Sequence, residues 1–100
     1  MSKSLTDLHE GQRLLFKFNS DYYTLRGDRE IEAKVFQGGR YYLCSDNPFL
    51  SGHDNEDVKL ATGYRFNWVL GYSKEQSLYD FNNAFILLSE IEEESLGELE

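Results

Sequence analysis

The residues of this chain that could carry chemistry are its single cysteine, its two histidines and its many carboxylates. Cys44 lies within a predicted strand, and neither His9 nor His53 is placed to act as a dependable base for a thiol nucleophile. Cys44 and His53 are nine residues apart with no second pair of ligands, so the spacing does not predict a zinc site. No two carboxylates are marked as a positioned acid–base pair. We therefore predict that the protein is not an enzyme and uses no cofactor or metal ion.

Two further segments fall short of known ligand-binding motifs. The polar loop at residues 46–57 contains several carboxylates, but they do not occupy the alternate positions that a calcium-binding EF-hand loop requires. Gly38 and Gly39 join two predicted strands and lack the lysine and the following helix of a phosphate-binding loop. Both segments are therefore interpreted as ordinary connections.

Tyrosine and arginine side chains give a signal that favours recognition over catalysis. Tyr22 and Tyr23 are adjacent, as are Tyr41 and Tyr42. Neighbouring residues on a strand point to opposite faces of the sheet, so one tyrosine of each pair is expected outside. Tyrosine and arginine are favoured at interface hot spots because they combine a large contact area with a polar group. The same side chains could instead stack on nucleotide bases.

Other large apolar residues add to this candidate surface. Phe49 and Leu50 form an apolar pair inside a polar loop, which either folds back to cover one end of the sheet, the favoured alternative, or projects into a partner. In GYRFNWVLG, four alternating residues are predicted to face the core, with the tryptophan at the rim as the alternative: Tyr64, Phe66, Trp68 and Leu70. The predicted partner-binding residues are Tyr22, Tyr23, Arg26, Arg29, Arg40, Tyr41, Phe49, Leu50 and Trp68.

The net charge of −8 is concentrated towards the end of the chain. Residues 1–44 carry seven Lys/Arg and six Asp/Glu, whereas residues 45–100 carry three and twelve. An acidic domain can imitate the phosphate row of a nucleic acid and block a DNA- or RNA-binding enzyme. The predicted acidic surface consists of Asp54, Glu56, Asp57, Glu92, Glu93 and Glu94. Direct binding of nucleic acid is disfavoured, because phosphate binding normally requires an excess of Lys/Arg.

Alternation of apolar and polar residues predicts most of the secondary structure. It indicates strands at QRLLFKF, EIEAKVFQ, RYYLC, VKLA and GYRFNWVLG. Gly38 and Gly39 predict a tight hairpin between the second and third of these. NAFILL, residues 83–88, is predicted as a buried strand, with a helix capped by Asp80 as the weaker alternative. Residues 73–83 are ambiguous.

Five or six short strands with little helix predict a mainly β fold, either a small barrel or a rolled antiparallel sheet. LHEGQRLLFKF, EIEAKVFQGGRYYLC and GYRFNW resemble the opening strand, hairpin and meander of SH3-like small β-barrels. That resemblance implies a tyrosine-lined groove that binds extended peptides. YYLCSDN and GYRFNWVL are similar to paired strands in small bacteriophage accessory proteins. This second resemblance implies a factor that acts on a host protein.

The length of 100 residues predicts one domain, at residues 1–89, followed by an acidic tail at 90–100 that is solvated or forms a short helix. The N-terminus lacks an apolar signal segment and the single cysteine fits a reducing compartment, so a cytoplasmic location is expected. No apolar run is long enough to cross a membrane. We expect a small non-enzymatic module that binds a protein, such as a phage accessory factor or inhibitor docking on a host protein. Its oligomeric state is left open.

Overall fold

A computed structural model of the protein describes residues 4–19, 29–50 and 55–91. Within these ranges the chain forms five strands, two α-helices and a 3₁₀ turn at Pro48–Leu50. The strands are β1 (Arg13–Phe18), β2 (Ile31–Gly38), β3 (Arg40–Ser45), β4 (Phe66–Val69) and β5 (Phe85–Ile91). The helices are α1 (Glu56–Thr62) and α2 (Lys74–Ala84). The mainly β class predicted from the sequence is confirmed.

The five strands form one antiparallel sheet in the order β4-β3-β2-β1-β5. In a flat sheet the edge strands β4 and β5 would lie about 19 Å apart, at ~4.8 Å per strand. Instead, the ring of Trp68 on β4 has its centroid 5.2 Å from that of Phe85 on β5. The sheet is therefore rolled, but its edge strands do not pair with each other. Of the two predicted architectures, the rolled sheet is confirmed and the closed SH3-like barrel is wrong.

The main core lies on the inner face of the roll. Leu14, Phe16 and Phe18 alternate along β1 and are buried, as the period-two pattern predicts. Each packs beside residues of the neighbouring strands, because partners in register point to the same face. On β2 the buried partners in register are Ile31 and Ala33, and Val35 is buried on the same face. The predicted alternation of EIEAKVFQ is confirmed.

Helix α2 and the N-terminal segment close the open side of the core. Phe81 of α2 packs edge-on against Phe16, with 5.4 Å between the ring centroids. The N-terminal segment is fixed to α2 by two hydrogen bonds between the backbone of Leu5 and the side chain of Asn82, of 2.9 and 3.0 Å. Leu5 and Leu8 are thereby buried in the core. This segment completes a core that the sheet alone leaves uncovered.

The β2–β3 hairpin forms as the glycine pair predicts. Gly38 is paired with Arg40, and Gly39 between them has φ = +87°. A residue with a Cβ is strained in this left-handed region, so glycine is required at the turn. The hairpin sets the register of the sheet centre, where Val35 lies opposite Leu43 and therefore on the core face.

The segment VKLA is helical, and the prediction of a strand there is wrong. It lies within α1, whose N-terminus is capped by the Asn55 side chain accepting a hydrogen bond from the Val58 amide. Gly63, with φ = +82°, ends the helix in the left-handed conformation. Glu56 and Asp57 occupy the first turn, where the partial positive charge of a helix N-terminus favours acidic side chains. These end signals outweigh a four-residue alternation.

The ambiguous segment at residues 73–83 is also helical. Ser73 caps α2 by accepting a hydrogen bond from the Gln76 amide, so the cap is Ser73 and not Asp80. The predicted strand NAFILL is confirmed from Phe85 onwards, because β5 begins where α2 ends. β5 continues to Ile91, two residues past the predicted domain boundary at residue 89. Neither helix described here is long and apolar enough to cross a membrane.

The aromatic segment GYRFNWVLG forms a shorter strand than its alternation predicts, since β4 covers only Phe66–Val69. Leu70 is buried in the core, and Trp68 is partly buried against it. Tyr64 lies before the strand and packs instead with the residues beneath α1. The prediction of a place in the main core is therefore confirmed for Leu70 and Trp68 and is wrong for Tyr64. Phe66, the fourth residue of that prediction, is half-buried and belongs to neither cluster.

Candidate functional site

The outer face of the sheet carries the side chains that alternate with the core. Cross-strand pairs place Arg13 beside Lys34, Lys34 beside Cys44, and Cys44 beside Asn67. Because partners in register point to one face, these four side chains form a row from β1 to β4. The outer face is thus a mixed polar surface across the centre of the sheet.

Helix α1 packs on the β3–β4 half of the outer face. Its Val58 forms a small second cluster with Tyr42 and Cys44, against which three other side chains are partly buried: Phe36, Tyr64 and Val69. The β1–β2 half lies beside this cluster and forms a depression along β2. Tyr64 lies on one side of its centre, opposite Arg13 and Leu15 of β1, and the last residues of α1, Ala61 and Thr62, line its hairpin end.

Three cavities that share lining residues lie along this depression. The central cavity, of about 610 Å³, is lined by Arg13, Leu15, Glu30, Glu32, Ala33, Lys34, Cys44, Ser45, Asp46, Asn47 and Tyr64. A second cavity, of about 420 Å³ and nearer the β2–β3 hairpin, shares Lys34, Cys44 and Tyr64 with it and extends to Phe36. The third, of about 760 Å³ at the opposite end, shares Glu30 and is bounded by Phe49. We call the three together the outer groove.

The length of the outer groove follows from the strand that forms its floor. Glu30, directly before β2, and Glu32, Lys34 and Phe36 within it line the groove at alternate positions. A strand rises about 3.3 Å per residue, so the span from the first to the last of these is roughly 20 Å. That distance matches about six residues of an extended chain lying along β2.

Charges along the outer groove are unevenly compensated. Glu32 forms an ion pair with Arg13, and Asp46 lies 4.0 Å from the guanidinium Nε of Arg65. Within the described ranges, neither Glu30 nor Lys34 has an ion-pair partner. Beside β2 the groove therefore offers the free carboxylate of Glu30 towards the Phe49 end and the free ammonium group of Lys34 near its centre.

The wall beneath α1 contains two buried groups that could take part in chemistry. Cys44 is fully buried, and burial raises the pKa of its thiol to about 11, opposed by a hydrogen bond with Thr62. The thiol is therefore protonated at neutral pH and is not an activated nucleophile. Asn67, beside it, is 1% exposed, and neither its amide nitrogen nor its amide oxygen has a hydrogen-bond partner among the described residues.

The tyrosines expected to form an exposed platform are not exposed. Tyr41 and Tyr42 are 7% and 6% exposed, so the prediction that one of them lies outside is wrong. Tyr41 belongs to the main core, whereas Tyr42 belongs to the cluster under α1. Both faces of β3 are covered, which the alternation of a single strand does not reveal. Tyr22, Tyr23 and Arg26 lie outside the described residues.

The predicted arginines contact aromatic rings other than the predicted tyrosines. The guanidinium of Arg40 stacks on Tyr72, 4.4 Å from the ring centroid, and donates a hydrogen bond to the carbonyl oxygen of Leu70. The guanidinium of Arg29 lies 4.2 Å from the ring centroid of Phe49, at the end of the groove opposite the β2–β3 hairpin. Of the predicted arginines, Arg29 therefore borders the groove, and Arg40 lies at the hairpin end of β3.

The other predicted site residues divide between core and surface. Leu50 is fully buried, so it covers the core as favoured, whereas its neighbour Phe49 is 39% exposed. Trp68 packs against the core. Glu56 and Asp57 of the predicted acidic surface are exposed on α1. The other acidic residues of that prediction, Asp54 and Glu92 to Glu94, lie outside the described residues.

Sequence reasoning missed the residues that converge on the outer groove. The sequence places Glu30, Glu32 and Lys34 only on the face opposite Ile31, Ala33 and Val35, and it predicts Tyr64 in the core. The signal available was the polar half of the alternation in EIEAKVFQ. These polar residues line a groove only where other elements stand beside them, among them α1 at the hairpin end. The sequence predicts a strand in place of α1.

The described residues contain no group of three His, Cys, Asp or Glu side chains that could hold a metal ion. The chain matches no protein-family model, no curated protein and no solved structure. The function is therefore argued from the geometry of the outer groove.

Proposed function

We propose that this protein is a small non-enzymatic module that binds an extended polypeptide segment of a partner protein in the outer groove. The observation that carries the proposal is the series of three cavities with shared lining residues, about 20 Å long beside β2, which suits a chain in extended conformation. Aromatic side chains line its middle and both ends: Tyr64, Phe36 and Phe49. Aromatic contacts beside a few fixed polar groups are typical of peptide-binding grooves.

A polypeptide fits this groove better than a nucleic acid does. Glu30, Glu32 and Asp46 line the central cavity, and carboxylates there repel a phosphate backbone. The net charge of −8 acts in the same direction. Tyr41 and Tyr42 are buried and cannot stack on bases. The charge balance instead favours a basic partner.

Two finer predictions extend beyond the groove. One is a phage accessory factor or inhibitor that docks on a host protein in the host cytoplasm. The other is mimicry of nucleic acid by the acidic C-terminal half of the chain. Glu56 and Asp57 supply exposed carboxylates for mimicry, but the residues on which it mainly depends lie outside the described ranges. Both stay predictions.

Selection of binders from a random peptide library against the full-length protein tests the proposal. Selected peptides should bind Tyr64→Ala at least about tenfold more weakly, because a buried aromatic contact contributes more than ~1.4 kcal/mol. Tyr79→Ala is the matched control: Tyr79 is 68% exposed on α2 and lies outside the groove. It should leave the affinity unchanged.

The proposal is wrong if the library yields no binders, or if the binders it yields are insensitive to Tyr64→Ala. Circular dichroism of the variant separates loss of the contact from loss of the fold, since Tyr64 also packs beneath α1.

A further inference from the structure

We infer that the polypeptide bound in the outer groove is recognised by two opposite charges four residues apart: a lysine or arginine that pairs with Glu30 and a carboxylate that pairs with Lys34. This inference rests on the proposed function and names the sequence class of its ligand. It follows from which charges in the groove are already paired and which are not.

Glu30 and Lys34 are the unpaired charges on the floor of the groove. Both line its central cavity, and Glu30 also lines the cavity bounded by Phe49. Between them lies Glu32, whose charge is compensated by the ion pair with Arg13. A ligand therefore meets a negative site, a neutral pair and a positive site in succession along β2.

The spacing of these charges fixes the spacing in the ligand. Glu30 directly precedes β2 and Lys34 lies within it, so the two residues are up to about 13 Å apart, at ~3.3 Å per residue of extended chain. An extended ligand has the same repeat, so its matching side chains are also four residues apart. A spacing of two residues spans only about 7 Å and cannot reach both charges at once.

Other charged groups near the two sites support this assignment. Asp46 lines the central cavity together with Glu30, and its charge is partly compensated by Arg65, 4.0 Å away. Arg29, the neighbouring cation, has its guanidinium over Phe49. Glu10 and Lys34 both line the cavity nearer the hairpin, and the Glu10 carboxylate repels a ligand carboxylate there. The ligand carboxylate is therefore favoured on the side of Lys34 that faces Arg13.

Two synthetic peptides of the same composition test the inference on the full-length protein by fluorescence titration. GTRTYTETG carries its opposite charges four residues apart, whereas GTRTETYTG carries them two apart; in both, the charged and tyrosine side chains lie on one face of the extended peptide. Two exposed ion pairs together favour the first peptide by about three- to tenfold. In Glu30→Gln and in Lys34→Gln the ratio of the two peptide affinities should fall towards one. Glu75→Gln is the control: Glu75 is exposed on α2, outside the groove, and its loss should leave the advantage intact.

Equal affinity of the two peptides, both weakened by Tyr64→Ala, would overturn the charge-spacing inference and leave the proposed function standing. Absence of binding by either peptide up to about 1 mM, where even a −4 kcal/mol interaction is detectable, would also overturn the inference. The library selection described above then decides the proposed function independently.

Discussion

Trp68 on β4 and Phe85 on β5 pack edge-on, with ring centroids 5.2 Å apart at 71°, although their strands are the opposite edges of the sheet. Phe18 on β1 lies 5.5 Å from Trp68 and 4.9 Å from Phe85 between the same centroids. These three rings connect the two edges across the inner face. β4 is only four residues long, so it offers few other side chains that could hold it near β5. The contact between Trp68 and Phe85 is therefore expected to stabilise the rolled shape of the sheet.

Removal of the Trp68 ring should therefore destabilise the whole fold. We expect Trp68→Ala to lower the free energy of unfolding by about 2–4 kcal/mol, since truncation of a large core aromatic removes packing and leaves a cavity. Urea denaturation followed by circular dichroism measures the change. Tyr79→Ala removes an exposed ring and should cost less than about 0.5 kcal/mol. Equal effects of the two substitutions would show that the rolled contact is unimportant.

The buried amide of Asn67 predicts a substitution that stabilises the protein. A buried polar group without a partner costs about 1–3 kcal/mol, so Asn67→Val should raise the free energy of unfolding by about 1 kcal/mol. Asn67→Asp should lower the free energy of unfolding by more than about 2 kcal/mol, because it places a charge at a buried position beside the buried Cys44. Thermal denaturation of both variants provides the comparison. A Val variant less stable than the wild type would indicate that the amide makes a contact the described residues do not show.

The raised pKa of Cys44 predicts a loss of stability at alkaline pH. The pKa of the thiol is near its ordinary value of 9.0 in the unfolded chain, but burial raises it to about 11 in the folded protein. Between these values the folded state binds more protons than the unfolded state, so the free energy of unfolding falls as the pH rises. A difference of this size corresponds to about 1–3 kcal/mol.

Urea denaturation at pH 8 and pH 10.5 tests this dependence in the wild type and in Cys44→Ala. The wild type should lose more stability than the variant over that interval, because tyrosine ionisation is common to both. Identical pH profiles would contradict the account of a buried thiol.

The turn glycine predicts a backbone effect that is separate from packing. Gly39 has φ = +87° and no atom within 4 Å of the position of an added Cβ, so Gly39→Ala introduces conformational strain but no clash. We expect a loss of about 1–2 kcal/mol in the free energy of unfolding. Gly39→Asn should cost less, because asparagine tolerates the left-handed region. If alanine and asparagine are equally tolerated, the hairpin adopts another turn.

The parts of the fold that follow from local pattern could be predicted from the sequence. Alternation in QRLLFKF and EIEAKVFQ gave β1, β2 and their buried faces, and the glycine pair gave the β2–β3 hairpin. Short elements with weak periodicity could not be placed in this way. In α1 the caps Asn55 and Gly63 determine the helix, and four alternating residues pointed to a strand.

The candidate site depends on contacts between distant parts of the chain. Tyr42 is buried because Val58 of α1 packs on it, and Tyr64 joins the same cluster from beyond the end of the helix. Likewise, Leu5 is buried because the side chain of Asn82, 77 residues away, binds its backbone. No local pattern encodes such pairings. For this reason the sequence predicts an exposed Tyr41, which is buried, and does not predict the groove that Lys34 lines.

The most direct test of the account is the position of a bound peptide on the full-length protein. Amide chemical-shift changes on titration with a library-selected peptide report that position residue by residue. Binding in the outer groove predicts the largest changes at Lys34, Cys44 and Tyr64, with none at Tyr79 on α2. Changes confined to α2, or to the free edge of β5, would contradict the assignment of the outer groove as the binding site.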